Sequence, residues 1–242
     1  MVFGSLCLLS SWSACCEPVQ VAVASNFSAP MQKIALQFEQ TSGHKVSLSF
    51  GATGKFFAQI RNGAPFDILM AADQATPSRL SEYSVSGSQF TYAVGVLVLW
   101  SAMPDLVDAQ GAVLKSGRFN HLAIASPEQA PYGAAAMQTL QALGLAEPLG
   151  GKLVQGESIG QTYAFIATGN AELGFVALSQ VWENGKIKSG SAWIVPENLH
   201  APVRQDAVLL LHGRDNRAAL ALLAYLKTEA AQSVMRDYGY HF

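Results

Sequence analysis

From Val19 onward, short β-rich runs alternate with amphipathic helical windows, and this alternation restricts the chain to an α/β architecture with largely parallel strands. The run VQVAVAS (Val19 to Ser25) reads as a buried strand. In the segment SAPMQKIALQFEQTSG that follows, Met31, Ile34, Ala35 and Phe38 share one helical face, with Pro30 suited to a first turn and Gly43 to an end. KVSLSF then pairs with the helix KFFAQIRNG, which Asn62-Gly63 stops, and the strand FDILMAAD spans Phe66 to Asp73. One β-rich run, FTYAVGVLVLW, is expected from Phe90 to Trp100. A second series repeats the pattern: HLAIASP, the helix YGAAAMQTLQALG, the strand KLVQG, the helix GQTYAFIATG and the strand LGFVALS. The strand-like AVLLLHG and two helical windows, RAALALLAYLKT and EAAQSVMRDYG, close the chain. Two similar βαβ sets predict two lobes.

A chain of 242 residues, half of them apolar and 13% charged, can bury one large core or two modest ones, which excludes a disordered protein. A net charge of −2 without any Lys/Arg cluster excludes the electrostatic footprint of a nucleic-acid or anionic-membrane binder. The first sixteen residues, MVFGSLCLLSSWSACC, are uncharged, with a short apolar stretch and small residues before Glu17. They read as an export signal, although no Lys or Arg follows Met1. Cys7, Cys15 and Cys16 all lie within them, so a chain cut near Glu17 carries no thiol, disulfide or Cys-based metal site. A lipid-attachment role for Cys15 is the alternative fate of this segment.

Four strand-to-helix junctions are rich in Gly or small hydroxyl residues: Ser25-Asn26, Gly51-Ala-Thr53-Gly54, Pro131-Tyr132-Gly133 and Gly156-Glu-Ser158-Ile159-Gly160. Ligands of open α/β sheets bind outside the carboxyl ends of strands, where such junctions lie. A helix start there exposes unpaired N–H groups and about half a positive charge. Any single junction is more simply an ordinary helix cap. Four at equivalent places predict an anion site that uses neither Lys nor Arg. Such a site favours a fully deprotonated dianion, because an oxyanion that keeps a proton brings a donor in among donors.

The order and spacing of VAVASNFSAPMQKIALQFEQTSGHKV, GATGKFFAQIRNGAPFDILMAADQ, FTYAVGVLVLWS, IASPEQAPYG, ESIGQTYAFIATGNAELGFVAL and AYLKTEAAQSVMRDYGY resemble the periplasmic molybdate-binding proteins of bacterial ABC importers. The resemblance covers nearly the whole exported chain. It implies a type II periplasmic-binding-protein fold, two α/β lobes closing on a central anion-binding cleft, with lobe 1 at 17–93 plus 203–242 and lobe 2 at 94–202. It implies molybdate or tungstate as ligand, no cofactor and no free metal cation, a membrane permease as partner, a periplasmic location and a monomeric state. Carried over by position, Ser25, Asn26 and Thr53 face the anion from one lobe, and Tyr132 and Ile159 donate backbone N–H groups from the other. One position departs: where some members place a Tyr hydroxyl on the anion, after LGFV, this chain has Ala177, and Asn26 is expected to stand in for it.

The main rival reading is a hydrolase, since Gly156-Glu-Ser158-Ile-Gly160 fits G-x-S-x-G between a strand and a helix. Its triad would need Asp206 or Asp215, then His212 or His241, and no glycine-rich oxyanion loop lies upstream. Gly51-Ala-Thr-Gly54-Lys55 lacks the spacer and hydroxyl residue of a phosphate loop. His44, His121 and His200 have no ligand spacing, Asp67 and Asp73 read as cap or interface groups, and Trp100, Trp182 and Trp193 read as packing. A sensory binding domain that serves no transporter is a further reading; the genes beside this one would separate the two.

Overall fold

The computed structural model describes residues 18–242 except 184, so the expected export segment and its three cysteines lie outside the described residues. The first lobe begins with β1 (Val19–Ala24), α1 (Ser28–Ser42), β2 (Val46–Gly51), α2 (Thr53–Arg61), β3 (Ile68–Met70), α3 (Ala75–Arg79) and β4 (Phe90–Gly95). After the single residue Val96, the chain enters the second lobe with β5 (Leu97–Ser101), α4 (Val113–Ser116), β6 (Leu122–Ala125), α5 (Pro131–Ala142), β7 (Leu153–Gly156), α6 (Ile159–Ala167) and β8 (Leu173–Ala177). That lobe continues with α7 (Leu178–Val181), the short strands β9 (Trp182–Glu183) and β10 (Lys186–Ile187), and β11 (Ser191–Ile194). The chain then returns to the first lobe as β12 (Val203–Leu209), α8 (Arg217–Tyr225) and α9 (Glu229–Asp237).

Each lobe is built on a five-stranded mixed sheet, ordered β2-β1-β3-β12-β4 in the first and β11-β5-β8-β6-β7 in the second. The strands joined through α1 and α5 run parallel, β1 with β2 and β6 with β7, as the βαβ spacing requires. Returning segments pair antiparallel: β12 with β3 and β4, and β5 with β8 and β11. Helices cover both faces of the first sheet, so β1 is apolar almost throughout rather than alternating. Met31, Ile34 and Phe38 of α1 are buried against Val21, Val23, Ile68 and Leu222, and each such side chain contributes roughly 1.5–3 kcal/mol relative to exposure. Gly43, at φ 73°, ends α1 in the left-handed conformation that glycine takes without strain.

Two sequence expectations change. The run Phe90–Trp100 is two strands in different sheets, broken at Val96, because hydrophobic patterning marks a buried strand without saying which sheet holds it. The last strand starts at Val203, before the expected Ala207, and ends at Leu209, with Leu211–Gly213 forming a 3-10 turn. Its polar stretch Arg204-Gln205-Asp206 interrupts the apolar pattern, yet Gln205 and Asp206 are buried. Asp206 accepts from Thr91 Oγ1 at 2.7 Å and Gln89 Nε2 at 2.7 Å, which offsets the cost of burying its charge.

Candidate functional site

The four junctions converge. β1 runs into a 3-10 turn at Ser25–Phe27 that leads into α1, β2 ends at Gly51 with only Ala52 before α2 begins at Thr53, and β6 and β7 feed α5 and α6. Ser25, Asn26 and Thr53 from the first lobe and Tyr132 and Ile159 from the second line one small cavity. Its remaining lining is Ala24, Gly51, Ala52, Ala72, Ala130 and Pro131, so no charged side chain enters it. A wider groove beside it carries Asp73, Arg79, Glu128 and Arg204, charges of mixed sign.

Local chemistry explains the donors. Pro131 occupies the first position of α5 without an N–H, which makes the Tyr132 N–H the first donor of that helix. Ser158 caps α6, its Oγ accepting from Gln161 N at 3.2 Å, while Gln161 Oε1 accepts from Glu157 N at 2.7 Å. These caps leave the Ile159 N–H at the helix start without an intrahelical acceptor. Thr53 Oγ1 accepts from the Ala72 N–H at 3.1 Å, and its own proton has no acceptor among the described residues. Ser25 Oγ donates to Gly51 O at 3.0 Å, so its hydroxyl must rotate to reach a guest.

Asn26 is placed differently from expectation. Its Nδ2 donates to Gln205 Oε1 at 2.8 Å and to Tyr240 Oη at 3.0 Å, and its buried Oδ1 has no partner. Beside Ala177, Gln180 braces the site. Its Oε1 accepts from the Ala177 N–H at 3.0 Å and its Nε2 donates to Ile159 O at 3.0 Å.

Behind the cavity lies a buried polar network with no local sequence signature. Gln205 Nε2 donates to Tyr132 Oη at 3.2 Å, and Tyr92 Oη lies 3.0 Å from Gln205 Oε1 and 3.1 Å from Ala71 O. Tyr240 Oη and Ser179 Oγ both reach Asn26 O, at 2.9 and 2.7 Å. Phe27 holds Tyr92 and Tyr240 by edge contacts at 4.9 and 5.2 Å between ring centroids. Gln205, Tyr92, Tyr240 and Ser179 were not anticipated, because they are up to 214 residues from Asn26 and each reads alone as ordinary core.

Burial pushes the Tyr240 phenol up to about 12 and holds Tyr92 and Tyr132 well above the usual 10.0. The folded state keeps protons that an unfolded chain releases. The stability that Tyr240 contributes is therefore complete below about pH 10 and is lost as pH rises through about 12. Urea midpoints measured at about pH 9 and about pH 11 are expected to fall more steeply in the wild type than in Tyr240→Phe.

The lobes touch around the site. Gly54 N donates to Gln129 O at 2.9 Å, Lys55 pairs with Glu157, and a Cβ on Gly160 would lie 3.1 Å from Ser25 Cβ. The ion pair is solvent-exposed and contributes little beyond about 1 kcal/mol. The hydrolase reading finds no support: Ser158 serves as a helix cap, His212 Nδ1 lies 2.7 Å from Asp67 Oδ1, and the His241 backbone pairs with Val94. Asp67 also accepts from Gln20 N and Asn216 Nδ2, and Asp73 accepts from Thr76 N, as structural carboxylates do. Among the described residues, no three His, Cys, Asp or Glu side chains group as a metal site.

Known proteins share this arrangement. The family model described as bacterial extracellular solute-binding protein matches residues 19–241. The molybdate-binding protein ModA of Azotobacter vinelandii is 60% identical over 92% of this chain and 89% of its own length, and that of Rhodobacter capsulatus is 52% identical over 92% and 87%. The solved structure of an Azotobacter vinelandii periplasmic molybdate-binding protein superposes with a TM-score of 0.90 at 39% identity, covering 93% of this chain and 99% of that one. A family match over nearly the whole described chain, on a fold with two sheets and an uncharged cavity between them, places the protein in the bacterial extracellular solute-binding protein family.

Proposed function

We propose that the protein captures molybdate or tungstate outside the cytoplasm and presents the oxyanion to the membrane permease of an ABC importer. The observation that carries this reading is the convergence of five uncharged donor residues, Ser25, Asn26, Thr53, Tyr132 and Ile159, from both lobes on one cavity without a basic side chain. A buried dianion is costly to desolvate unless many donors meet it, and each hydrogen bond to a charged group contributes about 1.5–3 kcal/mol. Helix starts and hydroxyls supply such donors with little rearrangement. Hydrogen phosphate is disfavoured, because its proton finds no acceptor among donors. The relatives named for molybdate, at 60% and 52% identity, support the same ligand class.

The lobes in this reading are 17–93 plus 203–242 and 94–202, the protein acts as a monomer, and its location is the periplasm, either free or tethered by lipid at Cys15. Only the closed state gathers all the donors, so the ligand draws the population toward closure. Thermal melting with molybdate, tungstate, sulfate, phosphate and chromate tests this. Molybdate and tungstate are expected to stabilise the fold by about 2.7 kcal/mol at a hundredfold excess over Kd, and phosphate to do little. No shift with either of the first two would refute the assignment.

A further inference from the structure

We infer that Gln205 is the positioning residue that turns the Asn26 amide, expected from the sequence to donate to the oxyanion, so that its N–H₂ group and not its carbonyl faces the cavity. This rests on the oxyanion reading of the cavity. As placed, the bonded end of the Asn26 amide faces Gln205 and Tyr240, which lie outside the cavity lining, and the unpartnered end is Oδ1, on a residue 2% exposed. An acceptor there would face the acceptor oxygens of a dianion.

The protons in the network decide between the two orientations. As placed, Tyr132 Oη accepts from Gln205 Nε2 and its own proton competes with the Asn26 amide for Tyr240 Oη. The single Tyr92 proton is also shared between Ala71 O and Gln205 Oε1. Turning both amides end for end exchanges the oxygen and nitrogen of each, leaves every other heavy atom in place and resolves each conflict. Gln205 Nε2 then donates to Asn26 Oδ1 across 2.8 Å and to Tyr92 Oη across 3.0 Å. Tyr92 gives its proton to Ala71 O, and Tyr132 gives its proton to Gln205 Oε1 across 3.2 Å. Ser179 remains on Asn26 O, which frees the Tyr240 proton for Asn26 Oδ1 across 3.0 Å. The one group left without a protein partner is an N–H₂ donor, which is what a dianion requires. Because Tyr132 belongs to the second lobe and Gln205 to the strand that returns from it, this orientation is secured where the lobes meet.

The test is a double-mutant cycle for tungstate binding by calorimetry, joined to side-chain amide spectra of ¹⁵N-labelled wild type. Asn26→Ala and Gln205→Met are each expected to weaken tungstate binding about ten- to a hundredfold. In the Asn26→Ala background Gln205→Met is expected to change affinity less than about threefold, since nothing remains to position. The Asn26 Nδ2 protons of the wild type are expected to shift and exchange more slowly on tungstate addition. A full Gln205→Met loss in the Asn26→Ala background, or Asn26 side-chain signals that stay still while the Ser25 and Asn26 backbone amides shift, overturns the inference and leaves the oxyanion reading intact. Absence of tungstate binding by the wild type removes the reading itself, and the inference with it.

Discussion

Gly95→Ala is expected to cost oxyanion affinity about a hundredfold, with some loss of stability in the first lobe. A Cβ at this position would lie 1.9 Å from Tyr132 Oη, 2.5 Å from Gln205 Nε2 and 2.9 Å from Tyr132 Cζ. Neither neighbour is free to yield, since Tyr132 is 1% exposed and Gln205 fully buried. Gly95 ends a strand of the first sheet, whereas Tyr132 opens a helix of the second lobe. The clash with Tyr132 thus falls on the closed arrangement and is relieved when the lobes part, while that with Gln205, on the neighbouring strand of the same sheet, stays within the first lobe. Overpacking of this kind costs about 1–3 kcal/mol or more, and the part of the penalty confined to the binding-competent state converts directly into lost affinity. Calorimetry on Gly95→Ala and on Gly95→Ala with Tyr132→Phe checks the cause. Removing the phenolic oxygen lifts the shortest of these contacts and is expected to recover part of the affinity, the contact with Gln205 remaining, and a double variant as weak as the single one would place the fault elsewhere.

The second large effect is expected at Thr53, where valine keeps the shape and loses the hydroxyl. Thr53 Oγ1 accepts from the Ala72 N–H, and Ala72 is buried, so Thr53→Val leaves that donor unpaired at a cost of about 1–3 kcal/mol in stability. The guest loses a donor as well, which weakens molybdate binding by a further tenfold to hundredfold, about 1.4–3 kcal/mol. Thr53→Ser retains both bonds and is expected to bind within a few-fold of wild type. Melting of the unliganded variants reads the first loss and calorimetry the second. Unchanged affinity in Thr53→Val would exclude its hydroxyl from the site.

The sequence carried much of this protein openly. Helical faces such as Met31, Ile34 and Phe38, the glycine stop at Gly43 and the β-rich runs are local signals, because the periods of helix and strand are properties of neighbouring residues. The junction residues were legible for the same reason. Small hydroxyl and glycine residues just past a strand are chemically distinct, and the topology of an α/β sheet sends such junctions to one edge. What the strand pattern could not convey was the division of Phe90–Trp100 between two sheets, since a buried strand looks alike in either.

The side-chain network was illegible for a different reason. Asn26, Gln205, Tyr132 and Tyr240 meet only because two lobes close and the C-terminal segment folds back under β1, and sequence separation holds no trace of that meeting. Ser158 shows the converse: a five-residue pattern suggested a nucleophile, and the geometry made it a helix cap. By itself, then, the sequence determined the kinds of element, the βαβ order and the hydroxyl- and glycine-rich junctions, because each depends on contacts a few residues apart. Tertiary structure alone decided which sheet holds each strand, which side chains brace the donors, and that five distant residues line a single cavity, because those depend on how surfaces far apart in the chain are buried against one another.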